Sequence, residues 1–232
     1  MSHEAGHQDV PPTPLDALQI MASQQVMLNA GLRHVEMYTM RGLLSLLWHE
    51  PAGVPRAVGV VMGGGAMGGM LGPGDSLFHV LGDELMNRNI PSLRVGWRKP
   101  NDLDACCLDM AAAVQLMIGS GADTVVTMGH SFGGAVAIRT AVGLTEMVAG
   151  VVTFATQSAG CEVAGGLQGR PLLMFHGDRD SILPVEASEV VRAMAGTGDL
   201  HVMPGDDHLL AKSHDVMLET TLTWIDKVFA NV

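Results

Sequence analysis

A mostly parallel, doubly wound α/β sheet flanked by helices is the fold class that this sequence predicts, and three observations predict it. Short, continuous apolar runs of strand length recur along the chain, as at 57–62, 125–128 and 171–175. Longer stretches with apolar residues at helical spacing separate them. Glycine- and proline-rich turns punctuate the two. Strands that alternate with helices pair in parallel, because each helix carries the chain back over a face of the sheet. At 232 residues and 47% apolar content, the chain has the length of one domain and enough material for a substantial core.

Taken in order, residues 1–14 are polar and end in Pro11, Pro12 and Pro14, which reads as a flexible tail with His3 and His7 solvated. Residues 15–232 then form a single domain. Asp16 near the start and Leu18, Met21 and Leu28 at roughly helical spacing predict a helix over 15–28. Strands are expected at 33–40 and 43–49, joined by a hairpin turn at Arg41 and Gly42. The run 57–62 suits a strand buried on both faces. A glycine cluster, 63–69, follows it. Asp75 or Ser76 can cap a helix whose apolar face is Leu77, Val80, Leu81 and Leu85. After a strand at 91–96, Leu103, Cys106, Cys107, Met110, Val114, Met117 and Ile118 mark a strongly amphipathic helix with both cysteines on its buried face. Strands at 147–154, 171–175 and 200–203, a helix at 185–195, and a closing helix marked by Leu218, Leu222, Ile225 and Phe229 complete the series.

Composition narrows the partners. A formal net charge of −11 argues against nucleic acid and against an anionic membrane surface. Three cysteines, two of them adjacent, make no disulfide framework, and the seventeen methionines suit an irregular core. No run of about 18 apolar residues could span a bilayer. Residues 1–10 carry Glu4 and Asp9 and no lysine or arginine, unlike a signal peptide, so the expected compartment is the cytoplasm.

The stretch that carries chemistry is Gly129-His130-Ser131-Phe132-Gly133, with a β-branched apolar run before it and a helix-tolerant run after it. A serine in G-x-S-x-G between strand and helix sits on a strained turn with its hydroxyl exposed, and glycines two positions to either side relieve the crowding. Gly63, Gly65 and Gly68 also satisfy G-x-G-x-x-G after a strand. A dinucleotide site needs the helix to begin inside that motif, however, and Pro73 and Gly74 delay it to about residue 75. Arg94 and Arg98 could take a 2′-phosphate, which keeps an NADP-binding oxidoreductase as an outside alternative. The Walker motif fails, since no Gly-Lys-Ser/Thr follows.

Two further loops join the serine motif: His176-Gly177-Asp178-Arg179-Asp180-Ser181-Ile182-Leu183-Pro184 after one strand, and Pro204-Gly205-Asp206-Asp207-His208 after the last. In this order the three resemble the α/β-hydrolase family, its dienelactone-hydrolase-like or small serine carboxylesterase branch. Dienelactone hydrolases proper carry a cysteine where this chain has Ser131. The resemblance implies an α/β-hydrolase fold in which Ser131 is the nucleophile, His208 the base and then acid, and Asp180 the residue that orients His208. It places one oxyanion-hole amide at Phe132 and the other at Gly64 or Gly65, where Met62-Gly63 stands in place of the His-Gly pair that often opens this loop. Asp178 reads as a turn residue and His214 as the competing histidine at the start of the last helix. His130 is expected to pack or bond locally, and His176 to anchor the acid loop. Asp206, Asp207, His208 and His214 lack further ligands, so neither metal nor cofactor is expected. The implied activity is hydrolysis of a small-molecule carboxylic ester through an acyl-enzyme. Acyl transfer, thioester or amide cleavage and a non-catalytic binding role are the alternatives. Only sixteen residues, 155–170, stand where this family commonly inserts a lid, too few for a large cap domain. The expected cleft is therefore open, walled by Met67, Met70 and Leu71 on one side and Gln157 and Ile182 on the other, and suits short acyl groups.

Overall fold

The computed structural model describes residues 12–231, so most of the expected tail, with His3 and His7, lies outside the described residues. Its nine strands are β1 (Ile20–Asn29), β2 (Leu32–Thr39), β3 (Gly42–His49), β4 (Val58–Gly63), β5 (Ser92–Gly96), β6 (Thr124–His130), β7 (Val148–Phe154), β8 (Leu172–Gly177) and β9 (Asp199–Met203). Its six α-helices are α1 (Pro14–Leu18), α2 (Pro73–Asn87), α3 (Leu103–Gly119), α4 (Phe132–Gly143), α5 (Glu186–Ala195) and α6 (His214–Phe229). All strands join one sheet in the order β1-β2-β3-β5-β4-β6-β7-β8-β9. The six strands from β5 to β9 run parallel, and β1 to β3 form an antiparallel flap on one side.

The winding reverses at β4. From there the chain crosses through α2 to β5 on one side and then through α3 to β6 on the other. Chain leaving the C-terminal ends of β4 and β6 departs to opposite faces of the sheet, which marks this end as the crevice position where open α/β sheets bind ligands. Apolar side chains pack on both faces. Met110, Val114, Val136 and Ile138 fill one layer, and Leu77, Phe78, Leu81, Ile225 and Phe229 the other. Central strands β4, β7 and β8 are accordingly buried almost throughout. The seventeen residues between β7 and β8 contain a single 3₁₀ turn, Ala164–Leu167, and no cap domain. Among the described residues no helix is long and apolar enough to cross a membrane.

Three expectations are corrected. The predicted helix over 15–28 is a single turn, α1, closed by a reciprocal Thr13–Asp16 capping box, followed by left-handed Gln19 and the ten-residue strand β1. Pairing with β2 overrides the helical spacing: Leu18 is buried, but Met21 and Leu28 are exposed, so the apparent period marks no common face. Helix α2 is not capped by Asp75 or Ser76. With Gly74 these residues are left-handed (φ 59°, 53° and 74°), and regular helix begins after Ser76. The cause is tertiary, since the Gly74 N–H donates to Leu209 O (2.7 Å) and Gly74 O accepts from His214 Nδ1. Helix α3 is buried around much of its circumference, Asp109 included, so it is less amphipathic than expected; Cys106 is buried and Cys107 half-buried.

Candidate active site

Strand β6 ends by delivering Ser131 into the crevice. Its backbone, at φ 55° and ψ −119°, is strained for a non-glycine residue and is pinned by its own N–H donating to Phe154 O of β7 (2.8 Å). The neighbouring glycines are sterically required. A Cβ on Gly129 would lie 1.8 Å from Gly133 O, and one on Gly133 would lie 2.3 Å from Gly64 O. The turn and the Gly63–Gly64 backbone are therefore in direct contact.

Loops after β8 and β9 bring two more groups to this serine. The Ser131 hydroxyl donates to His208 Nε2 (3.0 Å), and His208 Nδ1–H donates to Asp180 Oδ2 (2.7 Å). The hydrogen bond to the carboxylate fixes the tautomer, leaving the Nε2 lone pair for the serine proton. Ser131 is half-buried, and His208 is 8% exposed. Asp180 Oδ1 accepts the N–H groups of Ile182 (2.8 Å) and Leu183 (2.9 Å). Burial opposes ionisation of Asp180, but the Leu183 amide, His208 and the Ile182 amide outweigh it and hold the carboxyl below its ordinary range. His176 anchors the same loop. Its Nε2–H donates to Leu183 O (2.9 Å) and lies 3.2 Å from Asp180 Oδ2, while Nδ1 accepts from the Ser188 hydroxyl (2.7 Å).

The other polar residues of these loops are structural. Asp178 accepts from the Gly205 N–H (2.6 Å), tying the acid loop to the histidine loop. Buried Asp206 accepts from the Lys212 N–H (3.1 Å) and the Ser213 hydroxyl, and Asp207 from the Leu209 N–H (2.9 Å). His214 is bonded to Gly74 O, so these residues do not converge on a cation. His130 Nε2–H donates to His208 O (3.0 Å), and burial pushes this imidazole down to about 4. Among the described residues the one group with metal-ligand spacing is His49, His79 and Asp83, on β3 and α2. Arg94 Nε–H donates to His49 Nε2 (3.0 Å), so the neutral ring carries its proton on Nδ1, 3.1 Å from Asp83 Oδ1 but poorly aligned with it. That proton occupies the position a cation would need.

The glycine loop after β4 lies against the serine. Gly64 O accepts from Trp97 Nε1–H (3.2 Å), and Gly65 O from the Gly68 N–H (3.0 Å). A Cβ on Gly65 would stand 3.7 Å from both Ser131 Cβ and His130 Nδ1. Gly65 and Gly68 bridge each other across this loop, and among the described residues no protein acceptor engages the Phe132 amide N–H. Of the five side chains expected to wall the cleft, Met67, Leu71 and Ile182 project into solvent. Gln157 is half-buried and donates to Ala159 O (2.7 Å). Met70 instead packs its sulfur against Gly96 of β5, and its carbonyl accepts from Arg94 Nη1 (3.2 Å).

Two buried arginines have a role other than the one the sequence suggests. Arg98 is paired with Asp109, whose Oδ2 also accepts the Arg98 N–H (2.8 Å), fixing the chain between β5 and α3. Arg94 reaches from β5 to the end of the glycine loop. The sequence offers both as 2′-phosphate ligands; the fold buries their side chains and commits them to protein partners instead.

No protein-family model and no curated protein sequence matches this chain. Solved structures do. The esterase Est1E from Butyrivibrio proteoclasticus superposes with a TM-score of 0.70 at 15% identity, over 85% of this chain and 99% of its own. A dienelactone hydrolase from Anabaena variabilis gives 0.72 at 15% identity, over 85% and 99%. An α/β serine hydrolase without a lid from Xanthomonas campestris gives 0.68 at 16% identity, over 87% and 97%. The chain thus has the α/β-hydrolase fold, in its form without a cap domain.

Proposed function

We propose that this protein is a serine hydrolase of small carboxylic esters, with Ser131 as nucleophile, His208 as general base and acid, and Asp180 as the group that orients His208. The observation that carries this reading is the unbroken chain from Ser131 Oγ through His208 to Asp180, at 3.0 and 2.7 Å, at the crevice where the winding of the sheet reverses. Ser131 Oγ attacks the acyl carbonyl as its proton passes to His208 Nε2. The imidazolium formed is stabilised by the ionised Asp180, then gives the proton to the departing alcohol. Water repeats the sequence on the acyl-enzyme and releases the acid. The oxyanion is held by the Phe132 N–H and by the amide of Gly64 or Gly65, the loop glycines that stand against Ser131 and its turn. Cleavage of esters in preference to thioesters or amides rests on the family resemblance, and the names of the esterase and dienelactone hydrolase that share the fold support it.

Labelling tests the mechanism. A fluorophosphonate should modify Ser131 stoichiometrically, and Ser131→Ala should lose both labelling and turnover. Modification of a different serine, or undiminished turnover in the variant, would overturn the assignment. A panel of p-nitrophenyl esters, matched thioesters and anilides decides the bond cleaved, with esters expected fastest.

A further inference from the structure

Strand β1 is an open edge of the sheet, and all ten of its residues are exposed. Both of its faces are bare, Met21, Val26, Met27 and Leu28 each being more than half exposed. Natural edges are blunted by charged residues, proline or bulges. Ile20–Asn29 contains no charged residue and no proline, and its pairing irregularities with β2 fall only at its two ends. Between them, Ala22–Met27 runs in regular register, and among the described residues the backbone donors and acceptors on its outer side have no strand partner.

We propose that β1 is a dimerisation edge, where two copies of this chain pair antiparallel about a two-fold axis and join their nine-stranded sheets. The sequence of the strand is self-complementary in one register. With the axis at Gln24, that residue opposes its own copy across the interface, Ser23 opposes Gln25, Ala22 opposes Val26, Met21 opposes Met27 and Ile20 opposes Leu28. Amides meet amides at the centre and apolar side chains meet apolar side chains on either flank, as an isologous contact requires. Charge favours a second copy at this place. The chain carries −11 overall, yet the ten edge residues carry none of it, so two like-charged molecules can approach here. Ten residues make a strip about 33 Å long and about 10 Å thick. Pairing therefore covers roughly 660 Å² over the two copies, below the usual specific interface, which corresponds to a weak, reversible dimer. In the sheet β1 lies five positions from β6, so pairing leaves Ser131 accessible.

Sedimentation velocity of the full chain from about 1 to 200 μM should show a monomer–dimer equilibrium. Val26→Lys, present twice in each dimer, should weaken it at least about tenfold, while the rate of Ser131 labelling by a fluorophosphonate is unchanged and shows the variant folded. Mixed Met21→Cys and Met27→Cys chains should cross-link between positions 21 and 27 with a short bis-maleimide, and Met21→Cys alone should not. A monomer throughout the range, a dimer indifferent to Val26→Lys, or β1 amides already slow to exchange in the monomer because residues 1–11 or another segment covers them, would each overturn the proposal. Since dimerisation is read without substrate, it stands or falls independently of the hydrolase assignment.

Discussion

His208 and His214 are six residues apart and have different partners, Ser131 and Asp180 for the first and the Gly74 carbonyl for the second. On the proposed mechanism His208→Ala should lower kcat by about four orders of magnitude or more. His214→Ala should keep kcat within a few-fold and lower stability by about 1 kcal/mol, the usual value of one hydrogen bond. Steady-state kinetics and urea unfolding separate the two, and the opposite pattern would move the base to the start of α6. His130 makes a pH prediction. Burial depresses its pKa from 6.5 to about 4, so between these values the unfolded chain binds a proton that the folded chain excludes. Stability is therefore complete above about pH 6.5 and is lost as pH falls through this window. His49, depressed to about 4 by burial and by Arg94, adds to the same slope. His130→Gln should flatten the profile by at most about 3 kcal/mol, and unfolding midpoints between pH 4 and 7 parallel to those of the parent chain would contradict this.

Elements meet at points where one residue carries a disproportionate share of the contact. The buried Arg98–Asp109 pair is the sole charged contact recorded between the exit of β5 and the body of α3 among the described residues, and both side chains are almost wholly removed from water. Asp109→Ala should cost about 3–5 kcal/mol because the guanidinium is left buried without its partner. The double replacement Arg98→Met/Asp109→Leu should recover much of that loss; equal destabilisation of single and double variants would show that the charge pair is not the cause. Strand β1 illustrates how an element can be misread. Leu18, Met21 and Leu28 sit at roughly helical spacing, but spacing identifies a helix only if one face is to be buried, and β1 buries neither face. Backbone pairing with β2 decides its conformation, and nothing in the ten residues announces their partner.

At the scale of the whole molecule, the absence of a cap governs what can be bound. Seventeen residues link β7 to β8, and the apolar side chains near the crevice, Met67, Leu71 and Ile182, stand in solvent without a roof. A long acyl chain would remain largely hydrated there, and each unburied methylene forgoes roughly 0.8 kcal/mol. Ester hydrolysis should therefore be most efficient for acyl groups of about two to six carbons by that argument, without a jump in rate above the critical micelle concentration. Measuring kcat/KM from acetate to palmitate, with and without emulsified substrate, checks it; a rate that climbs to the longest chain would mean that some segment closes over the site.

The sequence by itself determined the parallel layers, because buried strands must be apolar on both faces and the helices between them must return the chain. It also singled out Ser131, through G-x-S-x-G between a strand and a helix, whereas Asp180 and His208 were indicated only by the resemblance of their loops to a known family. Tertiary structure alone decided the rest. The start of α2 depends on what the histidine loop does to Gly74, and the strand character of β1 on its pairing with β2. In each case the deciding contact is non-local, and its energy is absent until the fold has brought the partner to it.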